Sequence, residues 1–319
     1  MIIKRLILIA KIVIVLAVSA YLAWELHKSW GKIHQTDWQA NYLWLTLAGV
    51  FYIAAFVPSA VFWRYAMRSF GQSPGLYESF RAYYIGHLGK YVPGKALPVI
   101  IRAGLLDSAK TQPAAAAAAV FLETLTMMSA GAFLAALYAA VLLRNTPTPY
   151  GYGLPLLLSA AIMLLAALPV LPPVFRLIAK KVLPKTHSES LRLTFMTLLT
   201  GYLLMIPLWL MLGLSLWAVI HGIGISVPFS EYPQFTAAAA FAMVFGFISM
   251  VPGGLGTREF MLVQILTAYF ATLPDISEPA AATALAITAA GVQRLVSIIA
   301  ELIVSALLIP ARKKRRTLP

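Results

Sequence analysis

Apolar residues run through this chain in long blocks, separated by short stretches where charge, proline and glycine collect. Blocks of that length read as bilayer-spanning helices, because about 20 residues at about 1.5 Å each cross a hydrocarbon core of about 30 Å. Six reach it: the N-terminal run to Trp24, then 42–63, 114–143, 153–175, 193–220 and 281–309. The first opens on a basic MIIKR and is interrupted by Lys11, but its apolar length through Trp24 outruns a signal-peptide core. It is therefore expected to stay as an uncleaved span.

Two regions break the pattern. Residues 82–106 hold AYYIGHLGKYV and ALPVIIRAGLL, two arms of 11 residues around Pro93-Gly94. An 11-residue helix covers only about half the core, so this region predicts a re-entrant hairpin. Residues 235–273 hold arms of 17 and 14 residues around VPGGLGTRE, which fits a hairpin or two short spans. In either case the chain leaves on the side it entered. Irregular backbone at membrane depth is tolerated only where protein or a water-filled cavity satisfies its amides, so both loops point to an interior cavity.

Composition narrows the class. The chain of 319 residues is 61% hydrophobic and 11% charged, with a mean hydropathy of +0.82. No polar stretch is long enough for a soluble domain, which excludes an appended catalytic domain and places function in or at the bilayer. There is no cysteine, which removes disulfides, thiolate metal sites and cysteine nucleophiles. His27, His34, His87, His187 and His221 have no metal-ligand spacing, so no metal is expected.

The 25 Lys and Arg against 11 Asp and Glu do not imply a nucleic-acid partner, since cytoplasmic loops of membrane proteins collect positive charge. With the N-terminus inside, the inner ends carry Lys4, Arg5, Arg64, Arg68, Arg81, Lys110, Arg176, Lys180, Lys181, Lys185, Arg192 and the RKKRR tail at 312–316. The outer loops carry only Lys28, Lys32 and Arg144, beside Glu25, Asp37, Glu231, Asp275 and Glu278. This asymmetry predicts cytoplasmic N- and C-termini.

The same topology predicts an inverted repeat, residues 1–149 and 150–319, each with two spans, a hairpin and a further span. Val92-Pro93-Gly94 and Val251-Pro252-Gly253 lie 159 positions apart, and that offset lays the second span on the fifth. Broken helices paired in this way are common in membrane transporters. The expected fold is thus an all-α integral membrane protein with six full transmembrane helices and two re-entrant or short-span hairpins.

A few charges fall inside the apolar stretches, where each costs on the order of 3 kcal/mol on insertion scales and so should face a cavity or a partner. They are Lys90, Lys95, Arg102, Glu123, Arg258, Glu259, Arg294 and Glu301. Lys90 and Lys95 bracket the first break and Arg258 follows the second, so cations gather at both hairpin tips. Arg294 and Glu301, seven residues apart, share a face of the last span. Lys90, Lys95, Arg102, Arg258 and Arg294 are the candidates for holding an anionic head group. Glu123, Glu259 and Glu301 are candidates for balancing those charges or exchanging protons, and Gly89, Pro93, Gly94, Pro252, Gly253, Gly254 and Gly256 for breaking the helices and gating. For Arg294 a structural pair with Glu123, Glu259 or Glu301 is the rival reading. The alanine runs at 114–119 and near 236 are read as packing faces.

The motifs IGHLGKYVPGK, IIRAGLL, FLETLT, VPGGLGTRE and VQRL together resemble the lysylphosphatidylglycerol synthase transmembrane family, over roughly residues 40–310. This is the flippase-like domain found alone in many bacterial proteins and at the N-terminus of multiple peptide resistance factor. The most specific piece is PGG-x-G-x-RE, carried by Pro252, Gly253, Gly254, Gly256, Arg258 and Glu259. Glu123 of the third span and Arg294 of the last also match, whereas Gln293 stands where the pattern usually has Tyr. The resemblance implies movement of polar lipids between leaflets of a bacterial cytoplasmic membrane. No aminoacyl-transferring domain is seen, so the synthase activity in the family's name is not carried over.

The leading expectation is a flippase- or scramblase-like translocase, not an enzyme, with no cofactor. It contains no G-x-x-x-x-G-K-[ST] loop, so ATP is not the direct energy source. Its partners would be membrane lipids, as an anionic phospholipid, aminoacyl-lipid or polyprenyl-phosphate-linked cargo, with a homo-oligomer or a lipid-modifying enzyme as a further partner. The alternatives are a membrane-embedded head-group transferase or hydrolase with Glu123 or His87 as base, and a non-catalytic partner of a lipid-modifying complex.

Overall fold

A computed structural model describes residues 40–91, 97–106, 111–145, 159–165, 173, 194–274, 276 and 278–309. The predicted first span lies outside the described residues, as do Lys95, Pro93 and Gly94. Of the predicted span at 153–175, the described stretch 159–165 is helical.

Every regular element among the described residues is a helix. In order they are α1 (Tyr42–Ser69), α2 (Leu76–His87), a 3-10 turn (Leu88–Tyr91), α3 (Leu97–Gly104), α4 (Pro113–Asn145), α5 (Phe195–Gly222), a second 3-10 turn (Phe229–Glu231), α6 (Tyr232–Ile248), a third 3-10 turn at the break (Pro252–Gly254), α7 (Thr257–Phe270) and α8 (Pro279–Leu308). Four are long and apolar enough to cross a membrane: α1, α4 (over Pro113–Val141), α5 and α8. They coincide with the predicted spans, and the chain is a multi-pass membrane protein.

Local chemistry sets the ends. Asn41 caps α1 by accepting from the backbone N–H groups of Leu43 and Trp44 at 3.2 and 3.4 Å, and Thr194 caps α5 through Thr197 at 3.2 Å. α1 runs past the predicted Trp63 to Ser69, because Arg64 and Arg68 extend the helix as its basic last turns rather than end it. α2 starts at Leu76, six residues before the predicted hairpin. The Glu78 carboxylate accepts the Gly75 N–H at 3.3 Å, closing the helix start just after Pro74.

The first hairpin has unequal arms, 12 residues in α2 and 8 in α3, instead of 11 and 11. At about 1.5 Å per residue they reach about 18 and 12 Å, short of the core. The second has 17 and 14 residues in α6 and α7, or about 26 and 21 Å. Its break is built on left-handed backbone: Met250, Gly253, Gly254 and Gly256 have φ of 59, 59, 65 and 78°. Three of the four are glycines, which take that region without the Cβ clash other residues meet. Ser249 and Thr257 close the break between their hydroxyls at 3.0 Å, and the Thr257 hydroxyl donates to the Gly254 carbonyl at 3.2 Å.

Helix packing rests on small residues. A Cβ on Gly201 would run into the Phe62 ring and one on Gly131 into the Trp209 indole, so α5 lies close on α1 and α4. The alanine runs serve as the predicted packing faces, with Ala116, Ala118, Ala119, Ala237, Ala238 and Ala240 buried. α6 lies against both α4 and α5.

The helix contacts obey an exchange rule. α1 packs along α5; α2 touches α1, α3 and α8 as α6 touches α5, α7 and α4. α3 lies on α4 as α7 lies on α8, α1 meets α4 as α5 meets α8, and α1 meets α8 as α5 meets α4. The 3-10 turns Leu88–Tyr91 and Pro252–Gly254 touch each other. Swapping the set α1 to α4 for the set α5 to α8 returns the same contacts.

Candidate functional site

The site grows from that meeting of the two breaks. Gly253 sits against Lys90 and Tyr91 so closely that a Cβ on it would lie 3.3 Å from the Tyr91 ring and 3.5 Å from the Lys90 carbonyl oxygen. Gly89 is as tightly placed within the first hairpin: a Cβ there would stand 2.8 Å from the Pro98 backbone nitrogen. Gly89, Gly253 and Gly254, three of the glycines that sequence reasoning assigned to the breaks, stand where backbone meets backbone.

One helix runs beneath both breaks. From α8, Arg294 donates through Nη1 to the Gly253 carbonyl at 3.1 Å and pairs with Glu259 of α7 at 3.4 Å. Two turns on, Glu301 pairs with Lys90 and accepts from the Tyr52 hydroxyl of α1. Lys90 Nζ also reaches the Tyr52 hydroxyl at 3.4 Å, and His87 Nε2 lies 3.6 Å from Glu301 Oε1. Tyr91 carries two cations over its ring, Lys90 from its own turn at 5.1 Å and the Arg294 guanidinium from α8 at 5.2 Å. Arg294 and Glu301 thus share a face, as their spacing predicts, but they do not pair with each other. Each ties a different hairpin to α8.

Glu259 has a second task, since its Oε2 accepts the Gly256 N–H at 2.7 Å and so caps α7. Arg102 and Glu123 form a separate pair at 3.0 Å between α3 and α4, 4% and 2% exposed. Ser59 and Tyr83 both donate to Glu123 Oε1, and the Arg102 guanidinium lies 4.0 Å from the Tyr83 ring centre. The structure therefore brings Lys90, Arg258, Glu259, Arg294 and Glu301 together and keeps Arg102 and Glu123 apart from them.

Charge accounting leaves one cation over. Of the four described cations Lys90, Arg102, Arg258 and Arg294, three are matched to Glu301, Glu123 and Glu259. Arg258, 9% exposed, makes no hydrogen bond or ion pair with the described residues. Its charge lies close enough to act on Tyr52, Lys90 and Tyr91. Arg294 keeps Nε and Nη2 free of hydrogen bonds, and Glu301 keeps Oε2 free. Unmatched donors such as those of Arg294, in a low-dielectric interior, are groups that an anion would satisfy, whereas the free Glu301 oxygen would take a donor.

Tyr52, Ser59, Tyr83 and Tyr91 were missed by sequence reasoning, and His87 entered it only as a candidate base of the rival enzymatic reading. A signal existed for two of them: Tyr52 and Ser59 stand seven apart in an apolar helix, the same interval as Arg294 and Glu301.

The model of the lysylphosphatidylglycerol synthase TM region matches residues 8–310. The chain belongs to that family. Membership ties it to membrane lipids, and the PGG-x-G-x-RE segment that carries the resemblance is the segment that forms the second break and bears Arg258 and Glu259. No curated protein matches the chain. Among the described residues no three His, Cys, Asp or Glu converge to hold a metal.

Proposed function

We propose that this protein moves a phosphate-bearing lipid between the leaflets of a bacterial cytoplasmic membrane, as a flippase- or scramblase-like translocase not driven by ATP. The observation that carries the reading is Arg258, without an acidic partner among the described residues and placed with Arg294 and Lys90 where two broken helices meet inside a membrane protein. A head-group phosphate is the anion that such a site meets in a bilayer. Arg258 and the free donors of Arg294 hold it, while Lys90 answers to Glu301.

Two features support alternating access. The contacts survive exchange of the two helix sets, as an internal repeat over 1–149 and 150–319 requires. The two hairpins hang from one helix through separate ion pairs, Arg294 with Glu259 and Glu301 with Lys90, so one can let go while the other holds.

The test is purified protein in proteoliposomes carrying a panel of labelled lipids. The expected result is leaflet exchange of an anionic phospholipid well above protein-free vesicles, lost in Arg294→Ala. Vesicles in which no lipid moves, with folded protein present and the Arg294→Ala protein indistinguishable, would overturn it.

A further inference from the structure

His87 ends α2 beside the junction of the two breaks. Its imidazole packs on the rings of Phe56 and Tyr83, with centres 4.5 and 6.0 Å away. Nε2 is buried and makes no hydrogen bond with the described residues. Glu301 Oε1 nevertheless lies 3.6 Å from it, and Glu301 Oε2 is also without a partner. In a neutral ring that nitrogen stays unanswered: bare, it has no donor, and as N–H it stands too far from the carboxylate to bond. A protonated ring would make an ion pair across the same gap, and a small side-chain shift would turn it into a charged hydrogen bond.

The groups around the ring decide where a proton can go. α1 presents Tyr52 and α2 itself Tyr83, both neutral, and α8 presents Glu301, already paired with Lys90 of the following turn. Arg102 of α3 and Arg258 of α7 act on the ring through their charges, as Lys90 does. Of these groups His87 alone can gain a proton without giving up an ion pair. With the ring neutral, the described cations at depth exceed their acids by one, Arg258 being the excess. A proton on His87 raises that excess to two, and an anion at Arg258 and Arg294 brings it back to one. Proton and anion therefore favour each other's binding, and the coupling works in both directions.

We propose that His87 is a proton site linked to the anion site: its imidazole takes up a proton from water when an anionic head group settles at Arg258 and Arg294, and returns it when the head group leaves. The inference rests on the translocase reading and adds its coupling ion. Nε2 gains the proton, Glu301 accepts from the new N–H, and Lys90 keeps its share of the carboxylate. Cargo and proton cross together, so a pH difference across the membrane drives net movement without ATP.

Calorimetric titration of the full-length protein in detergent with dihexanoylphosphatidylglycerol, in buffers of different ionisation enthalpy, reads the protons taken up per lipid bound. This phosphodiester carries one negative charge throughout the range of about pH 5.5 to 7.5 in which histidine titrates, so any proton taken up is the protein's. Net uptake should peak at about half a proton or more within that range, and affinity should be about fivefold or more higher at its acid end. His87→Gln, whose amide takes no proton there, should show neither. Should that variant not fold, His87→Asn takes its place with the same expectation.

The wild type alone can overturn the proposal, by binding the lipid with no proton uptake and a flat pH profile. Uptake that survives in the His87 variant overturns it too, since the proton then sits elsewhere. A wild type that does not bind this lipid removes the anion site and the proposal with it. Exchange of a labelled anionic phospholipid in proteoliposomes keeps the two readings apart: exchange without proton uptake on binding removes the proton site and leaves the translocase, and proton uptake without exchange does the reverse.

Discussion

Arg102 and Glu123 show how one buried charge depends on another. With both nearly inaccessible, each is tolerated only because the other is there, and Ser59 and Tyr83 supply the remaining hydrogen bonds. Arg102→Met should therefore cost about 3–5 kcal/mol, as an abandoned buried carboxylate does, and Arg102→Met with Glu123→Met should recover most of it. Thermal unfolding of the solubilised protein, followed by Trp fluorescence, reads both. Arg258 is the opposite case. With no carboxylate partner among the described residues, Arg258→Gln should leave stability within about 1 kcal/mol of wild type while slowing lipid exchange at least about tenfold. A large loss of stability in that variant would mean that Arg258 has a structural partner. The charged residues themselves were legible in the sequence, because a charge in an apolar helix stands out. Which acid takes which cation was not, since Glu123, Glu259 and Glu301 are all plausible by spacing and only packing chooses among them.

At the scale of the element, the two breaks are set by backbone as much as by charge. Gly253, at φ 59°, has Arg294 Nη2 3.3 Å from where a Cβ would stand. Gly253→Ala should cost about 1–2 kcal/mol and push the Arg294 side chain off its carbonyl, seen as a lower unfolding temperature together with slower exchange. Met250 holds the same left-handed backbone with a side chain half exposed, so it carries the strain and little packing. Met250→Gly should therefore be neutral or stabilise by up to about 1 kcal/mol in the same unfolding measurement. Proline and glycine made both breaks visible in the sequence. The unequal arms of the first hairpin were harder to see, because the start of α2 depends on Glu78 reaching back to Gly75 across a segment that reads as a loop.

For the whole molecule, the long helices were legible because hydrophobic length alone defines them, and four of the six predicted spans coincide with described helices. The expected repeat rested on a shared tripeptide, its offset, the order of elements and their polarity. The exchange of helix partners is a property of packing and leaves little trace in residue identity. The two halves even share an ion pair with its signs reversed: α3 gives the cation and α4 the acid at Arg102–Glu123, while α7 gives the acid and α8 the cation at Glu259–Arg294. Only the second of these adjoins Arg258, which has no acidic partner among the described residues, so the described helices differ in charge where their contacts match.

The central claim is that this charge serves a lipid phosphate in transit. It is tested most directly by the rate of leaflet exchange of a labelled anionic phospholipid in proteoliposomes without ATP, compared between wild type, Arg258→Gln and Arg294→Gln of verified fold. The account predicts rapid exchange in the wild type and a fall of at least about tenfold in each variant. Wild-type exchange no faster than in empty vesicles, or variants as fast as the wild type, would contradict it.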